Sequence, residues 1–316
     1  MILKNLKVIF MGTPDFAVPI LKELIDKTKV VLVVTQPDKL VGRKQILTPS
    51  PIKKLALEKK IPLFQPNKIR EEFDTILNTD ADIIITCAYG QIIPKSILDY
   101  PKLGCINVHA SLLPKYRGGA PIHWCLINGD EKTGITIMYM AEKMDNGDII
   151  TQKDYKIEPS DNVGTLHEKL SEIGAQLLIQ TLPSIINGTN QKIAQEESNV
   201  TYAYNIKREE ERLDFKKTGK EVINQIRGLN PWPLANFLLE NQEYKVLEAR
   251  FLKKEHKEEI GKIIEITKQN FGITCQDGIL YIEKIKPFGK KEMVIKDYLN
   301  GINKEEIINK VVNKED

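Results

Sequence analysis

The chain has 316 residues, 41% hydrophobic and 28% charged, a balance that excludes a disordered chain and suits two domains better than one. Its 46 basic and 43 acidic residues leave a net charge of +3, which permits a polyanionic partner without demanding one. The four cysteines, Cys87, Cys105, Cys125 and Cys275, form no Cys-x-x-Cys pair, and no histidine stands at zinc-finger spacing, so neither a disulfide framework nor a metal site is expected.

Met1 to Met11 contains neither a long apolar stretch nor a small-residue cleavage site, so no secretory signal is expected. The longest apolar run, Val30 to Val34, is too short to span a bilayer. A cytoplasmic location with no membrane partner is the expectation.

Lys7 to Met11 is an apolar run bounded by Gly12 and Pro14, the pattern of a buried strand. Phe16 to Ile25 has helical spacing, with Asp15 as its candidate N-cap. Val30 to Val34 reads as a second strand, Ile52 to Lys59 and Ile69 to Leu77 as helices, and Asp82 to Cys87 and Gly104 to Val108 as strands. Such alternation implies βαβ units and a mostly parallel sheet, whose ligands bind beyond the carboxyl ends of the strands. The segments after Met11, Thr35, Cys87 and Val108 therefore lie on the expected functional edge.

Gly134 to Met140 and Ile149 to Ile157 read as further strands, with Asp145 in the loop between them, and Val163 to Ile186 as a long helix. Gly188 to Ser198 is polar and reads as the start of a linker. Beyond about Ile206 the texture changes. A helix over Gly219 to Gly228 precedes the Asn230-Pro231-Trp232-Pro233 break. Short strands are then expected at Ala235 to Leu239, Tyr244 to Leu252, Gly261 to Thr267, Gly272 to Cys275 and Ile279 to Ile285, a spacing that suggests a small barrel or sandwich.

Gly12-Thr13-Pro14-Asp15-Phe16 occupies the place of a dinucleotide fingerprint without being Gly-x-Gly-x-x-Gly, and no Gly-Lys-Ser or Gly-Lys-Thr loop occurs. A nicotinamide oxidoreductase and an NTPase are disfavoured. The informative run is Cys105 to Gly119. Strand alternation turns Asn107 and His109 to one face and Ile106 and Val108 to the other, so the polar pair collects at the strand's carboxyl end. Taken alone, the pair also fits a hydrogen-bonded core histidine beside a turn asparagine. Met144-Asp145-Asn146-Gly147-Asp148-Ile149 likewise fits a hairpin turn, from which Asp145 could still face His109.

Asn107-x-His109-x-Ser111-Leu112-Leu113-Pro114, followed by Tyr116-Arg117-Gly118 and by Asp145-x-Gly147-Asp148, resembles the formyltransferases that use 10-formyltetrahydrofolate. Phe10 to Pro19, Thr35-Gln36-Pro37-Asp38, Gly42-Arg43, Pro49-Ser50-Pro51, Arg117 to Trp124 and Asn230 to Pro233 are similar to the branch acting on methionine esterified to tRNA. The match runs in order over nearly the whole chain. It implies a Rossmann-like α/β catalytic domain over 1–189, a linker over 190–206, and a small OB-like β-barrel that contacts tRNA over 207–316. It further implies Asn107, His109 and Asp145 as catalytic residues and Ser111, Leu112, Leu113 and Pro114 as part of the folate site. The loop with Lys39, Arg43 and Lys44 would reach the tRNA acceptor end, Arg43 foremost; Lys44 stands where a second glycine is common in the family.

On this resemblance a monomer would carry formyl from 10-formyltetrahydrofolate to the methionine amine of initiator Met-tRNA. The alternatives are a formyltransferase for a small amine, a formyltetrahydrofolate hydrolase, or an RNA-binding protein with an inactive enzyme domain. Asn107 would donate to the oxyanion. His109 would assist it or shuttle the proton, and Asp145 would orient His109 or favour its charged form. Which of His109 and Asp145 takes the first proton does not follow from sequence. His123, His167 and His256 are expected to be structural or at the surface, and Trp232 a packing anchor. Basic residues between Lys245 and Lys291, interspersed with acids, fit a solvated face or, on one barrel face, a phosphate-binding one.

Overall fold

The computed structural model describes residues 3–42 and 44–314. The chain divides into two compact units, the first comprising Met1–Pro121, Lys132–Lys156 and His167–Tyr204, the second Ile122–Glu131, Ile157–Leu166 and Asn205–Asp316.

The strands of the first unit are β1 (Lys7–Gly12), β2 (Lys29–Val34), β3 (Lys39–Val41), β4 (Ile46–Thr48), β5 (Leu63–Phe64), β6 (Ile83–Cys87), β7 (Cys105–His109), β8 (Lys132–Tyr139) and β9 (Ile149–Lys156). The helices up to residue 186 are α1 (Val18–Lys27), α2 (Pro51–Glu58), α3 (Asp74–Leu77), α4 (Lys95–Leu98), α5 (Pro121–Ile127) and α6 (Val163–Ile186). Seven strands form one sheet in the order β5-β2-β1-β6-β7-β8-β9. From β5 to β7 all neighbours are parallel; β8 and β9 are antiparallel. Ile83 to Cys87 are buried throughout, as expected of a parallel strand covered on both faces. The order runs outward from β1 in both directions, so the topological switch lies between β1 and β6. The crevice expected at that switch adjoins the carboxyl end of β7, which carries Asn107 and His109.

Three local expectations are corrected. Asp15 does not cap α1. It opens a 3-10 turn (Asp15–Ala17), and α1 begins at Val18 with no side-chain cap and Pro19 in its first turn, where a missing N–H costs nothing. Ile69 to Leu77 yields only the short α3: a single turn, in which Lys68 O accepts from Glu71 N (3.0 Å) and Glu72 N (2.9 Å), ends before Phe73, whose φ of −135° lies outside the helical region. The loop from Gln36 to Pro51 contains a hairpin, β3 against β4, in which Leu40, Val41, Ile46 and Leu47 are all more than half exposed.

The second unit contains α7 (Gly219–Leu229), β10 (Ala235–Leu239), β11 (Gln242–Lys253), β12 (Ile263–Ile266), β13 (Phe271–Cys275), β14 (Gly278–Pro287), β15 (Met293–Val294) and α8 (Ile295–Asn300). Thr218 and Glu221 form a reciprocal capping box that starts α7. Glu240 and Asn241, both at positive φ (50° and 60°), make the two-residue turn between β10 and β11. The antiparallel order is β10-β11-β14-β13-β12, with β15 beside β14. Phe237, Phe271, Leu280, Ile282 and Val222 are buried together in its core.

Both edges of this sheet bond the tail. Ile263 on β12 exchanges backbone bonds with Asn309 and Lys310, while Leu238 on β10 accepts from Asn313 N (2.8 Å) and donates to Asn313 Oδ1 (2.8 Å). The tail thus closes the sheet into a barrel, which the Lys- and Glu-rich composition of that segment does not suggest. Asn313 Nδ2 also donates to Leu213 O (2.8 Å). Asn313→Ala strands these partners and is expected to cost about 1–3 kcal/mol. The urea midpoint reads it; an unchanged midpoint would remove the tail from the barrel.

No described helix is long and apolar enough to cross a membrane.

Candidate active site

Strand β7 lies between β6 and β8, pairing Asn107 with Thr86 and Met138, and His109 with Thr136. Ile106 and Val108 are buried, and Val108 faces Gly174 of α6, where an added Cβ would come within 3.0 Å of it. Period-two alternation then sends Asn107 and His109 to the opposite face. Thr86 Oγ1 donates to Asn107 Oδ1 at 2.9 Å. The amide oxygen is thereby occupied, and no bond from Asn107 Nδ2 occurs among the described residues.

His109 is 6% exposed, and its Nε2 lies 3.0 Å from Tyr116 O. A carbonyl only accepts, so Nε2 carries the proton and the neutral ring presents a bare Nδ1. Asp145 Oδ2 stands 3.7 Å from that Nδ1, with the Asp145 side chain 15% exposed. The imidazole and the carboxylate, 36 positions apart in the sequence, therefore meet at the lip of the sheet, too far apart for a hydrogen bond but close enough to stabilise charge on the ring.

Asp145 adopts φ +50°, a left-handed conformation that an aspartate tolerates when its surroundings hold it. Gly118 N donates to Asp145 Oδ2 at 2.8 Å. Gly118 sits at φ +124°, and a Cβ there would come 2.6 Å from Ala203 O, so only glycine brings this amide to the carboxylate. Gly147, two residues past Asp145, approaches so closely that a Cβ would lie 1.9 Å from Tyr139 O.

The Ser111–Pro114 run is held from below. Thr136 Oγ1 donates to Ser111 O (2.6 Å) and accepts from Leu113 N (3.1 Å); Gln152 Nε2 donates to Leu113 O (2.8 Å). Ser111 is fully buried, with its hydroxyl bonded to Lys115 O (2.7 Å), and Leu113 packs with Met138 and Ile149. Leu112 and Pro114 remain partly exposed, and the Leu113–Pro114 peptide is cis.

At the end of β2, Thr35 Oγ1 is 2.8 Å from Ser50 Oγ, and Asp38 meets Lys53 at 2.7 Å. Hydrogen bonds from Lys53 and Gln65 hold the Asp38 carboxyl below its ordinary value. These contacts fasten the base of the β3–β4 hairpin, on which Lys39 and Lys44 are exposed. Arg43 lies outside the described residues.

The remaining histidines have other partners. His123 Nδ1 meets Gly228 O (2.8 Å), His256 Nε2 meets Cys275 O (2.8 Å), and His167 packs edge-on against Phe16 (5.1 Å). Burial disfavours the charged form of His167 and lowers its pKa. Trp232 is 44% exposed, and its ring packs T-shaped with that of His123 at 6.4 Å between centroids. Several basic residues of the second unit face acids: Arg250 pairs with Glu283 (3.2 Å), Lys262 with Glu258 (2.7 Å) and Lys284 with Glu292 (3.5 Å).

Sequence reasoning missed two groups at the site. Thr86 orients the Asn107 amide, and Gln195 bonds the Asp145 loop. Pairing of Asn107 with its neighbour on β6 could have located the first; the second lies in a polar stretch with no periodicity to mark it.

Residues 4–182 match the family described as formyl transferase, and residues 205–303 match formyl transferase, C-terminal domain. A methionyl-tRNA formyltransferase of Staphylococcus epidermidis is 50% identical over 309 residues, covering 97% of this chain and 99% of that one. A methionyl-tRNA formyltransferase of Staphylococcus aureus is 50% identical over 298 residues, covering 93% and 96%. Among solved structures, an N-formyltransferase of Helicobacter canadensis in complex with folinic acid and dTDP-3-aminofucose has a TM-score of 0.66 at 20% identity, covering 90% of this chain and 100% of that one. WlaRD, a sugar 3N-formyl transferase solved with dTDP and 5-N-formyl-THF, has a TM-score of 0.64 at 24% identity, covering 90% and 99%. At these identities the two structures attest the fold alone.

Proposed function

Since this chain belongs to the formyltransferase family, we propose that the amide, imidazole and carboxylate at the end of β7 move a formyl group from 10-formyltetrahydrofolate to the α-amino group of methionine on initiator tRNA. The reaction takes place in the cytoplasm and serves translation initiation.

The observation that carries the reading is the placement of unspent hydrogen-bonding capacity: Asn107 keeps Nδ2 while its oxygen is bound by Thr86, and His109 keeps Nδ1 while Nε2 is bound by Tyr116. An α-amino group, with an ordinary pKa of about 7.7–8.0, is already neutral in a useful fraction near pH 7. The amine attacks the formyl carbon and the carbonyl oxygen gains negative charge. Asn107 Nδ2 donates to that oxygen. Collapse breaks the bond to folate N10, while a proton passes from the amine to N10. His109 Nδ1 takes and returns this proton, and Asp145 opposite it stabilises the imidazolium between the two transfers. Separations of this kind tighten when substrate binds.

Ser111 to Pro114 shape the folate side, with Ser111 and Leu113 supporting the loop and Leu112 and Pro114 offering it surface. Lys39 and Lys44 on the hairpin, together with Arg43, which adjoins Lys44 in the sequence, meet the acceptor end of the tRNA. Arg43→Ala is expected to reduce kcat/KM for charged tRNA by about tenfold or more, the worth of one charge-assisted bond. Unchanged kinetics at two salt concentrations would refute the contact.

One assay separates acceptors. The enzyme receives 10-formyltetrahydrofolate with charged initiator tRNA, with free small amines, or with neither. Formylation of the charged tRNA alone is expected. Formylated small amines, or folate deformylation without an acceptor, would overturn the reading.

A further inference from the structure

We infer that Gln195, in the polar segment following α6, is a positioning residue for Asp145: its side-chain amide clamps the Asp145 loop to Arg117 and so aims the carboxylate at His109. This rests on the reading of Asp145 as a catalytic group. Gln195 Nε2 donates to two carbonyls of that loop, Asp145 O at 2.7 Å and Gly147 O at 2.8 Å. Its Oε1 accepts from Arg117 Nε at 3.0 Å. One amide thus spends both its donors on the loop and its acceptor on a buried guanidinium (Arg117 is 3% exposed) that also pairs with Glu197 at 3.0 Å.

The segment that supplies Gln195 is fastened at both ends. Ile193 exchanges backbone bonds with Ile149 at the start of β9 (2.8 and 2.9 Å), and Thr201 and Ala203 bond Arg117 (2.9 and 2.8 Å). Between these ties, in the stretch from Gln191 to Asn199, Gln195 alone is not exposed.

Asp145 needs such a clamp. A left-handed non-glycine residue costs about 1 kcal/mol or more and persists where its surroundings over-determine it. Gly118 holds the Asp145 side chain and Gln195 holds its carbonyl. With the carbonyl released, the residue is free to relax toward φ below zero, which swings the carboxylate away from Nδ1. A misplacement of about 1 Å at a reacting group can cost on the order of 10²-fold in rate.

The test is a double-mutant cycle read beside hydrogen exchange of the amides of residues 144–148 in the full-length protein. Gln195→Ala is expected to speed that exchange and to lower kcat by about 10- to 100-fold, with the KM for folate and for tRNA little changed. In an Asp145→Asn background the same substitution is expected to cost little more, because the group it positions is already lost. Gln195→Glu keeps an acceptor for Arg117 and removes both donors to the loop. It is expected to reproduce the loss and carries the cycle should Gln195→Ala fold poorly. Unchanged exchange, an equal fold-loss in both backgrounds, or a wild-type rate in Gln195→Glu would overturn the clamp. Exchange that responds in a protein whose wild type formylates nothing would leave the clamp standing and remove the proposed reaction.

Discussion

Asn107→Ala is expected to lower turnover in formyl transfer to charged tRNA by about 10²- to 10³-fold, the usual cost of one oxyanion donor, with folate affinity little altered. Asn107 Nδ2 faces no protein acceptor among the described residues, while Oδ1 is tied to Thr86. In the proposed reaction this donor is spent on charge that develops in the transition state and is largely idle in the ground state, so its loss falls on kcat. Asn107→Asp, nearly the same shape, replaces a donor with negative charge beside a forming oxyanion and is expected to be at least as damaging. The substitution leaves β7 intact, since its ladder to β6 and β8 is made by the backbone. A loss of tenfold or less in either variant would remove Asn107 from this role.

Asp145→Asn is the second large effect expected, a fall in kcat of about 10²- to 10⁴-fold. Tyr116 O commits His109 Nε2 to donation, so any proton the imidazole gains goes to Nδ1, 3.7 Å from Asp145 Oδ2. A neutral amide retains an oxygen for Gly118 N yet no longer stabilises the imidazolium, and its own NH2 competes for Nδ1. His109→Asn is expected to lose a similar factor, and the two together little more than either alone, as residues acting as one unit do. Multiplicative losses in the double variant would show that they act separately.

The parts of this fold that follow a period are legible in the sequence. Ile83 to Cys87 and Cys105 to His109 are short apolar strands, and period two is enough to set Asn107 and His109 on one face. Asp145 is legible only through the resemblance, because an Asp-Asn-Gly stretch reads as a turn until Gly118 and His109 are brought to it. Where the backbone departs from a regular path, local patterns mislead: the non-helical Phe73 (φ −135°) leaves only α3 of the expected Ile69 to Leu77 helix, and Pro14 and Pro19 move the start of α1 past Asp15. Contacts distant in sequence left no local trace. The tail joins both barrel edges, Asn309 and Lys310 at β12 and Asn313 at β10, from a segment rich in Lys and Glu, and Gln195 reaches the Asp145 loop from a stretch whose polarity reads as a tether.

A crystal structure with bound formyl-folate analogue bears most directly on whether this lip of the sheet surrounds the transferred carbon. The formyl oxygen is expected about 2.7–3.1 Å from Asn107 Nδ2, with the open face of the carbon toward His109 Nδ1. A formyl group seated beyond reach of Asn107, with the Asp145 carboxylate turned from the imidazole, would contradict the account.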